Sequence, residues 1–414
     1  MKLLKNAIRS LSPFFLPAVV LLLSSCESPK PEIGLTAGTW RGSILVQNNE
    51  IPFNFEVVKD KGAVEILLIN GDESLKIDEV NILGDSLFFN MHIFDIRVKA
   101  RILKDSLNGV YIKNYAEDYV LPFYATYGKK GRFDDVESSA AFDGTWETAF
   151  ISEDGKESPA VGIFRKDQGV LKGTFLTKTG DYRYLDGYTD KDTMHLYTFD
   201  GNHLYKFKAY KETDSLLKGE FWSGKTGYKT FVSVRNDSAR LPDPNRLTYL
   251  KEGYDRISFS FPDLEGRMTS LEDEKYRNKV IVIQILGTWC PNCMDETRFY
   301  ADWYRKNREK GAEIIGLAYE VKPDFEYARN RVQTMKEKLQ VPYDILIAGT
   351  STTQSASASL PMLNEVISFP TSIIIDKKGA VRRIHTGFSG PATGVHYEEF
   401  ADDFNRFMKE LLEE

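Results

Sequence analysis

Two cysteines three residues apart carry the clearest chemical signal in the chain. Cys290 and Cys293 enclose a Pro-Asn dipeptide and follow the apolar run at 280–286. That run predicts a strand buried on both faces, and residues 294–310 have helical spacing. At the start of a helix, free backbone N–H groups and the helix dipole stabilise a thiolate. We therefore expect Cys290 to be an exposed nucleophile and Cys293 to be the resolving thiol.

Three other interpretations of this cysteine pair need to be weighed. A zinc site needs four ligands, and the sequence offers no second cysteine pair and no nearby histidine pair. A structural disulfide would suit an exported protein but would close only a very small loop. A peroxidase of the peroxiredoxin type would need a lone cysteine in a Pro-rich, Thr-containing loop, which the sequence lacks. We predict no metal and no cofactor beyond the redox-active cysteines.

Further motifs accompany the cysteines in a fixed order: FPDLEG at 261–266, GTW at 287–289, Glu296, FPT at 369–371 and IDKKG at 375–379. With them, residues from about 256 to 414 resemble the TlpA-type branch of the thioredoxin-like thiol-disulfide oxidoreductases, a redoxin or AhpC/TSA-like domain. The resemblance implies an α/β thioredoxin-like fold and a redox-active Cys290–Cys293 disulfide.

The same resemblance implies a substrate-binding surface around the cysteines. It makes Pro370 a cis proline facing the disulfide, with the backbone of Phe369 hydrogen-bonding the substrate segment. A cis X–Pro bond is uncommon and persists where its surroundings enforce it, so a trans turn proline is the alternative. The residues expected to contact substrate are Trp289, Pro291, Phe369, Pro370 and Thr371.

Three positions depart from the pattern of the resembled proteins. Arg298 stands where the family often has a proline that kinks the first helix, and Met294 stands where an arginine is common. Both changes put the helix shape and the partner surface in doubt. Gln284 occupies the strand position of the buried aspartate of thioredoxins, and an amide cannot relay a proton.

Glu320 is the candidate for proton transfer. It ends the apolar run at 312–320, which predicts a second parallel strand, and ligands of open α/β sheets gather at such carboxyl ends. The resemblance implies a glutamate there, which could accept the proton of Cys293. The alternative is a solvated loop glutamate before Pro323.

The remaining elements of this region follow from periodicity. We expect a helix over 324–339 and a third parallel strand over 343–348. The polar stretch 349–359 predicts a loop that runs into a helix continuing through 360–366. An apolar stripe over 397–412 predicts a closing amphipathic helix.

The middle of the chain repeats itself. Gly-Thr-Trp recurs 106 residues apart, at 38–40 and 144–146. Alternating residues and regular turns predict two antiparallel all-β units of eight strands, each a small up-and-down barrel or a sandwich. The expected strands lie near 38–46, 51–59, 63–70, 75–82, 86–94, 96–104, 107–112 and 121–127, and near 144–152, 157–166, 170–178, 183–188, 193–199, 203–212, 216–222 and 229–235.

The start of each unit is similar to the lipocalin-like pattern. Trp40 and Trp146 would plug the core of each unit, rather than line a ligand pocket. The units show no catalytic constellation in sequence, and His92, His195 and His203 are expected to be surface or packing residues without carboxylate partners.

The N-terminus predicts export. A positive start precedes the 13-residue apolar stretch at 11–23, which is too short to span a membrane as a helix. The LSSC sequence ending at Cys26 resembles the lipobox of bacterial lipoproteins, which implies lipidation of Cys26; a chance cysteine after an ordinary signal peptide is the alternative. Residues 1–25 would be the signal peptide and 26–37 a tether.

These features divide the chain into β unit 1 (38–130), β unit 2 (140–235), a linker with two prolines (236–255) and the thioredoxin-like domain (256–414). The formal net charge of −6, without a long basic run, argues against a nucleic-acid partner.

The sequence as a whole predicts a lipid-anchored thiol-disulfide oxidoreductase of the cell envelope, facing the periplasm. Its substrates would be exported proteins with disulfides, and an integral-membrane thiol donor would recharge it. The Pro-Asn dipeptide supplies no cation to stabilise the thiolate strongly, which favours a reductant over an oxidant. In the alternative, the β units form a ligand- or protein-binding module and the redox domain supports them.

Overall fold

The computed structural model describes residues 34–133 and 136–414, which form 25 strands and four α-helices. The signal peptide, Cys26 and most of the expected tether lie outside the described residues. Among the helices that are described, none is long and apolar enough to cross a membrane.

The first β unit is one antiparallel nine-stranded sheet with the order β4-β3-β2-β1-β9-β8-β7-β6-β5. Buried and exposed residues alternate along its strands, most regularly along the seventh strand, where every second residue is buried. The strands are β1 (Gly38–Val46), β2 (Asn49–Asp60), β3 (Ala63–Asn70), β4 (Glu73–Ile77), β5 (Val80–Leu83), β6 (Ser86–Asn90), β7 (Ile96–Leu103), β8 (Ser106–Lys113) and β9 (Val120–Tyr127).

The expected strand near 75–82 is two strands, β4 and β5, at opposite edges of this sheet. Asp78 and Glu79 separate them, and both carboxylates pair with Lys338 of the C-terminal domain. The sheet therefore curls into a barrel shape whose two edge strands are not hydrogen-bonded to each other.

The second unit closes into a barrel. Its sheet has the order β11-β10-β18-β17-β16-β15-β14-β12-β13, and an additional β11–β12 pairing joins eight of these strands into a ring. This confirms the up-and-down barrel for this unit over a sandwich, while a lipocalin-like identity stays a prediction. The strands are β10 (Gly144–Ile151), β11 (Glu157–Asp167), β12 (Val170–Thr177), β13 (Gly180–Asp181), β14 (Leu185–Asp190), β15 (Thr193–Phe199), β16 (Leu204–Thr213), β17 (Leu216–Ser223) and β18 (Gly227–Arg235).

The expected strand near 183–188 begins two residues later than predicted. Arg183 has a left-handed backbone (φ 57°), and its N–H donates to Asp181 Oδ1 at 2.6 Å. This Asx turn separates β13, which pairs with the end of β12, from β14, and the Tyr182 ring within it packs in the barrel interior 5.1 Å from the Phe221 ring.

Aromatic side chains fill both interiors. Trp40 and Trp146 are fully buried, and their indole N–H groups donate to Thr36 O and Phe142 O, each at 2.9 Å. In the second barrel, rings of phenylalanine stack as closely as 4.3 Å between the centroids of Phe207 and Phe221. The tryptophans are core plugs as predicted, and this packing gives no support to a ligand held inside the second barrel.

The three histidines behave differently from one another. His195 stacks on Tyr188 at 4.8 Å between ring centroids, as a packing residue does. His92 contacts a backbone carbonyl through Nδ1. The expectation that His203 has no carboxylate partner is wrong, because its Nδ1 lies 2.9 Å from Asp200 Oδ2. Sequence spacing did not reveal this pair, because the chain turns directly after Asp200 and brings His203 back to its carboxylate.

The C-terminal domain is a five-stranded sheet with the order β23-β22-β21-β24-β25, in which β21, β22 and β23 are parallel. A short hairpin precedes the sheet, and helices flank it. The elements are β19 (Ser260–Pro262), β20 (Met268–Ser270), β21 (Val280–Leu286), α1 (Pro291–Asn307), β22 (Ala312–Glu320), α2 (Phe325–Leu339), β23 (Asp344–Thr350), α3 (Thr353–Ser359), β24 (Thr371–Ile375), β25 (Val381–Thr386) and α4 (Val395–Glu413).

One helix lies elsewhere than expected. The Ser- and Ala-rich stretch itself forms α3, and residues 360–366 are not helical. The Thr352 side chain accepts from Ser355 N at 3.0 Å and begins the helix, whereas Pro361 cannot continue it.

The segment between β18 and β19 packs on the C-terminal domain. It contains a short 3₁₀ helix, Pro244–Arg246, and Leu250 forms an isolated antiparallel bridge with Leu363. Thr248 is fully buried and its hydroxyl accepts from Thr386 Oγ1 at 3.1 Å. These contacts fix the segment against the redox domain.

Candidate active site around the paired cysteines

Strand β21 and helix α1 place the two cysteines as the sequence predicts. Cys290 is the N-cap of α1, Pro291 occupies the first turn, and the backbone N–H of Cys293 donates to Cys290 Sγ at 3.1 Å. The two cysteines form a disulfide with their Cα atoms 5.2 Å apart. When the pair is reduced, the same N–H and the helix dipole favour a thiolate at Cys290.

The cysteines are more enclosed than expected. Only 6% of Cys290 is exposed and Cys293 is fully buried, so the expectation of an exposed nucleophile is wrong. Cys290 Sγ lies 3.5 Å from Phe369 O. Beside the cis-proline loop, the second barrel binds the residues on both sides of Cys290, because Asn202 donates to Trp289 O and Arg183 to Pro291 O. No local sequence pattern encodes the position of that barrel.

The Phe369–Pro370 peptide bond is cis, as predicted. The Phe369 ring lies 5.4 Å from that of Trp289, whose indole N–H donates to Tyr319 O at 2.9 Å. Thr371 is fully buried and its hydroxyl donates to Ser368 O at 2.9 Å. Thr371, predicted to bind substrate, therefore supports the loop from inside in this structure.

Glu320 lies at the end of β22 and is 1% exposed, so the alternative of a solvated loop glutamate is wrong. Both of its oxygens are held by Thr288: the backbone N–H donates to Oε1 at 2.9 Å and the hydroxyl to Oε2 at 2.8 Å. Burial raises the pKa of Glu320 to about 7. A role for this carboxyl in proton transfer stays a prediction.

A second buried acid was not assigned from the sequence. Glu296 lies one helical turn after Cys293, is fully buried, and accepts from Gln284 Nε2 at 2.9 Å and Ser372 Oγ at 2.8 Å. Burial raises the pKa of Glu296 to about 8. Two features of the sequence could have identified Glu296: its position three residues after Cys293, and Gln284 on β21, whose amide can donate to a buried carboxyl.

We predict that Glu296 makes stability fall as pH rises. The folded protein keeps a proton on Glu296 up to a pKa of about 8, whereas the unfolded chain releases it near 4.5. Between those values the folded state binds more protons, so the free energy of unfolding should fall by on the order of 4 kcal/mol. Urea unfolding of the oxidised protein at pH 5 and pH 8 measures this fall.

Glu296→Gln should remove this part of the pH dependence, because the amide does not titrate. The exposed Glu309→Gln is the matched control and should keep the wild-type fall. Equal pH dependence in wild type and Glu296→Gln would contradict the buried-acid assignment.

A buried ionic cluster lies beside the motif. Its centre is Arg183 of the second barrel, 1% exposed at its side chain, and its carboxylates come from all three units of the chain. Arg183 Nε lies 3.1 Å from Asp200 Oδ2, Nη2 lies 2.5 Å from Glu73 Oε2, and Nη1 pairs with Asp295. Arg298 contacts Glu73 at 2.7 Å. The cluster therefore joins the first turns of α1 to both β units.

The comparisons with known proteins agree with this geometry. Residues 253–384 match the model of the AhpC/TSA family. The thiol-disulfide oxidoreductase ResA of Bacillus thuringiensis subsp. konkukian (strain 97-27) is 29% identical over 129 residues, which cover 31% of this chain and 66% of that protein. The thioredoxin-like protein YneN of Bacillus subtilis (strain 168) is 25% identical over 138 residues, 33% of this chain and 73% of that protein.

The family match over residues 253–384 and these relatives support a thioredoxin-like domain of the thiol-disulfide oxidoreductase type. Among solved structures, a thiol:disulfide interchange protein of the thioredoxin family from Chlorobium tepidum TLS is 19% identical with a TM-score of 0.30, and the match covers 39% of this chain and 98% of that chain. The chain spans 66%, just under two thirds, of the length of the first of the ResA relatives. The β units lie outside the family match.

Proposed function

We propose that this protein is a thiol-disulfide oxidoreductase that exchanges disulfides with proteins through Cys290 and Cys293. The observation that carries the proposal is the cysteine pair at the N-terminus of α1, with Cys290 Sγ 3.5 Å from the carbonyl of the residue before a cis proline. A pair in this position can form, break and transfer a disulfide without a metal or other cofactor.

The reductive direction proceeds in two balanced steps. The Cys290 thiolate attacks one sulfur of a substrate disulfide, which forms a mixed disulfide and releases the other substrate sulfur as a thiolate that takes up a proton. Cys293 then loses its proton and attacks Cys290 Sγ, which forms the Cys290–Cys293 disulfide and releases the second substrate thiol. The buried carboxyl of Glu320 is the candidate acceptor for the Cys293 proton.

A reductant is favoured over an oxidant by the charges around the motif. The cluster contains two cations, Arg183 and Arg298, and three carboxylates, those of Glu73, Asp200 and Asp295. Burial raises the pKa of Asp295, and the neighbouring Arg183 opposes that rise. Whether or not Asp295 holds a proton, the ionised carboxylates are at least as many as the two cations. The cluster therefore carries no net positive charge to stabilise a thiolate beyond the helix N-terminus, and strong oxidants need that stabilisation.

Reduction of insulin tests the proposed activity. Fully reduced protein, mixed with insulin in the absence of other thiols, should lose two thiols for each insulin disulfide that it reduces. Thiol titration and mass spectrometry of both proteins measure this stoichiometry. Unchanged thiol content in both proteins would contradict the proposal.

We predict that Glu320→Gln slows the second step. Without a carboxyl beside Thr288, Cys293 loses a candidate proton acceptor, and we expect a decrease of about 10- to 100-fold in the rate of insulin reduction. The fold should be kept, because an amide can replace one of the two accepted hydrogen bonds. Stopped-flow thiol release measures the rate, and unchanged rates would remove Glu320 from the mechanism.

The location belongs to the same proposal. The apolar stretch at 11–23 and the LSSC sequence support an exported protein whose lipidated Cys26 holds it at the cell envelope, facing the periplasm. Its substrates would be exported proteins with disulfides, and an integral-membrane thiol donor would reduce it again. Membrane fractionation tests the anchor: Cys26→Ser should move the protein from the membrane to the soluble fraction.

A further inference from the structure

A segment of the second barrel lies directly on the cysteine motif. Residues 179–183, between β12 and β14, contact the motif and the loops beside it. Ser368 Oγ donates to Thr179 O at 2.8 Å, and Asn292 Nδ2 donates to Asp181 O at 3.0 Å. The Asp181 carboxylate also accepts from Gly390 N at 2.7 Å. The segment thus binds the motif, the cis-proline loop and the loop after β25 together.

The last residue of the segment, Arg183, and a second barrel residue, Asn202, extend this contact. Arg183 Nη1 donates to Pro291 O at 2.8 Å, and Asn202 Nδ2 donates to Trp289 O at 2.7 Å. The same Asn202 accepts from Lys113 Nζ at 2.7 Å, which ties the contact to the first β unit. The barrels therefore bind the residues on both sides of Cys290.

The backbones meet closely at this contact. A Cβ atom added to Gly387 would lie 2.9 Å from Gly180 N, and one added to Gly180 would lie 3.0 Å from Asn292 Nδ2. A side chain at Gly387 would require a shift of the backbone, whereas one at Gly180 would require the Asn292 side chain to move. The segment and the redox domain are thus shaped to fit each other.

This contact occupies the surface that a substrate must reach. In a mixed disulfide the substrate sulfur lies about 2 Å from Cys290 Sγ. Trp289 and the cis-proline loop, the surroundings that the proposed function assigns to substrate, are already bound by residues 179–183 and Asn202. Only 6% of Cys290 is exposed, which leaves little room for a folded protein.

We propose that residues 179–183 are an internal cap that occupies the substrate-docking surface and must leave it before a protein disulfide reaches Cys290. This inference rests on the proposed function, and the segment that occupies the docking surface belongs to this chain itself. A small electrophile can reach Cys290 past the cap, whereas a large one reacts only from the open form. The apparent rate with large partners is then the rate of the open form multiplied by the fraction of molecules that are open.

The test compares a small and a large maleimide on one thiol. Full-length protein carrying Cys26→Ser and Cys293→Ser leaves Cys290 as the reactive cysteine, and N-ethylmaleimide is compared with a 5-kDa polyethylene glycol maleimide. Both rates are normalised to the same protein unfolded in urea. We expect the large reagent to be slowed at least 10-fold more than the small one.

Opening the cap should remove this difference. Asp181→Ala with Asn202→Ala deletes side-chain contacts to Gly390 and Trp289, and should reduce the size discrimination at least 10-fold with the rate of the small reagent little changed. Asp192→Ala with Asn81→Ala, both on exposed positions of the barrels, is the matched control and should behave as the parent. No size discrimination in the parent, or undiminished discrimination in a folded Asp181→Ala/Asn202→Ala variant, would overturn the cap.

A second measurement does not depend on those variants folding. In the parent protein, hydrogen exchange at residues 177–183 should be at least 10-fold faster in the polyethylene glycol adduct than in the N-ethylmaleimide adduct. Equal exchange in the two adducts would overturn the cap. Neither readout uses disulfide exchange, so failure of the cap and failure of the proposed activity are observed separately.

Discussion

Cys290→Ser is expected to lower the rate of insulin reduction by about 10³-fold or more, because it removes the sulfur at the start of α1 that is placed to attack. Cys290 is the N-cap of α1 and receives the Cys293 N–H, whereas Cys293 is fully buried beneath it. Cys293→Ser should still attack but cannot resolve, so a mixed disulfide with insulin should accumulate. The insulin precipitation assay and non-reducing electrophoresis measure the two outcomes.

The third cysteine provides the matched control for this experiment. Cys26→Ser removes a thiol of the same chain outside the motif, and the soluble protein should keep wild-type activity toward insulin. Substantial activity in Cys290→Ser, or a mixed disulfide formed through Cys293, would contradict the assignment of the nucleophile.

Arg183→Met is expected to cause the largest loss of stability among single substitutions of charged residues in this site. The variant leaves the carboxylates of Glu73, Asp200 and Asp295 buried without their central cation. Removing one partner of a buried ion pair costs about 3–5 kcal/mol. Urea unfolding followed by tryptophan fluorescence should show a lowered midpoint, and the transitions of barrel and redox domain should separate.

Arg101→Met is the matched control for that loss. The Arg101 side chain is 70% exposed and pairs with Asp85, and exposed pairs of this kind contribute about 0–1 kcal/mol. An unfolding midpoint of Arg183→Met equal to that of Arg101→Met would contradict the role of Arg183 at the centre of the cluster.

The sequence predicted those parts of the site that depend on neighbouring residues. An apolar run followed by Cys290 and Cys293 placed the pair at a strand end and helix start, and the motif around Pro370 gave the cis bond. Glu320 was located because a parallel strand ends there. The positions of the cysteines and of Glu320 follow from spacing within one element, whereas the cis bond at Pro370 was implied by the family resemblance.

The sequence did not predict the features that join distant segments. Arg183 meets Pro291 across 108 residues, and no periodicity or motif links the two positions. The enclosure of Cys290 was missed for the same reason, since the covering segment belongs to the second barrel. Arg298, which departs from the family pattern, donates to Glu73 of the first β unit. The surface of α1 around Arg298 therefore packs against that β unit.

The β units show a similar division between local and long-range information. Alternation located nearly every strand, including β7 with its strict pattern of buried and exposed residues. Closure could not be predicted, because the pairing of β11 with β12 closes the ring of the second unit while β4 and β5 of the first stay unpaired with each other. Between the two edge strands of the first unit, Asp78 and Glu79 pair with Lys338 of α2, a contact that strand alternation does not encode.

The reduction potential of the Cys290–Cys293 pair in the full-length protein tests the central claim most directly. Equilibration with dithiothreitol buffers of known potential, followed by alkylation and mass spectrometry, gives its midpoint. A redox-active pair that works as a reductant predicts a midpoint close to thioredoxin's, about −270 mV. A midpoint near that of the strongest disulfide oxidants, about −120 mV, would contradict the reductant, and a pair that does not titrate at all would contradict the oxidoreductase.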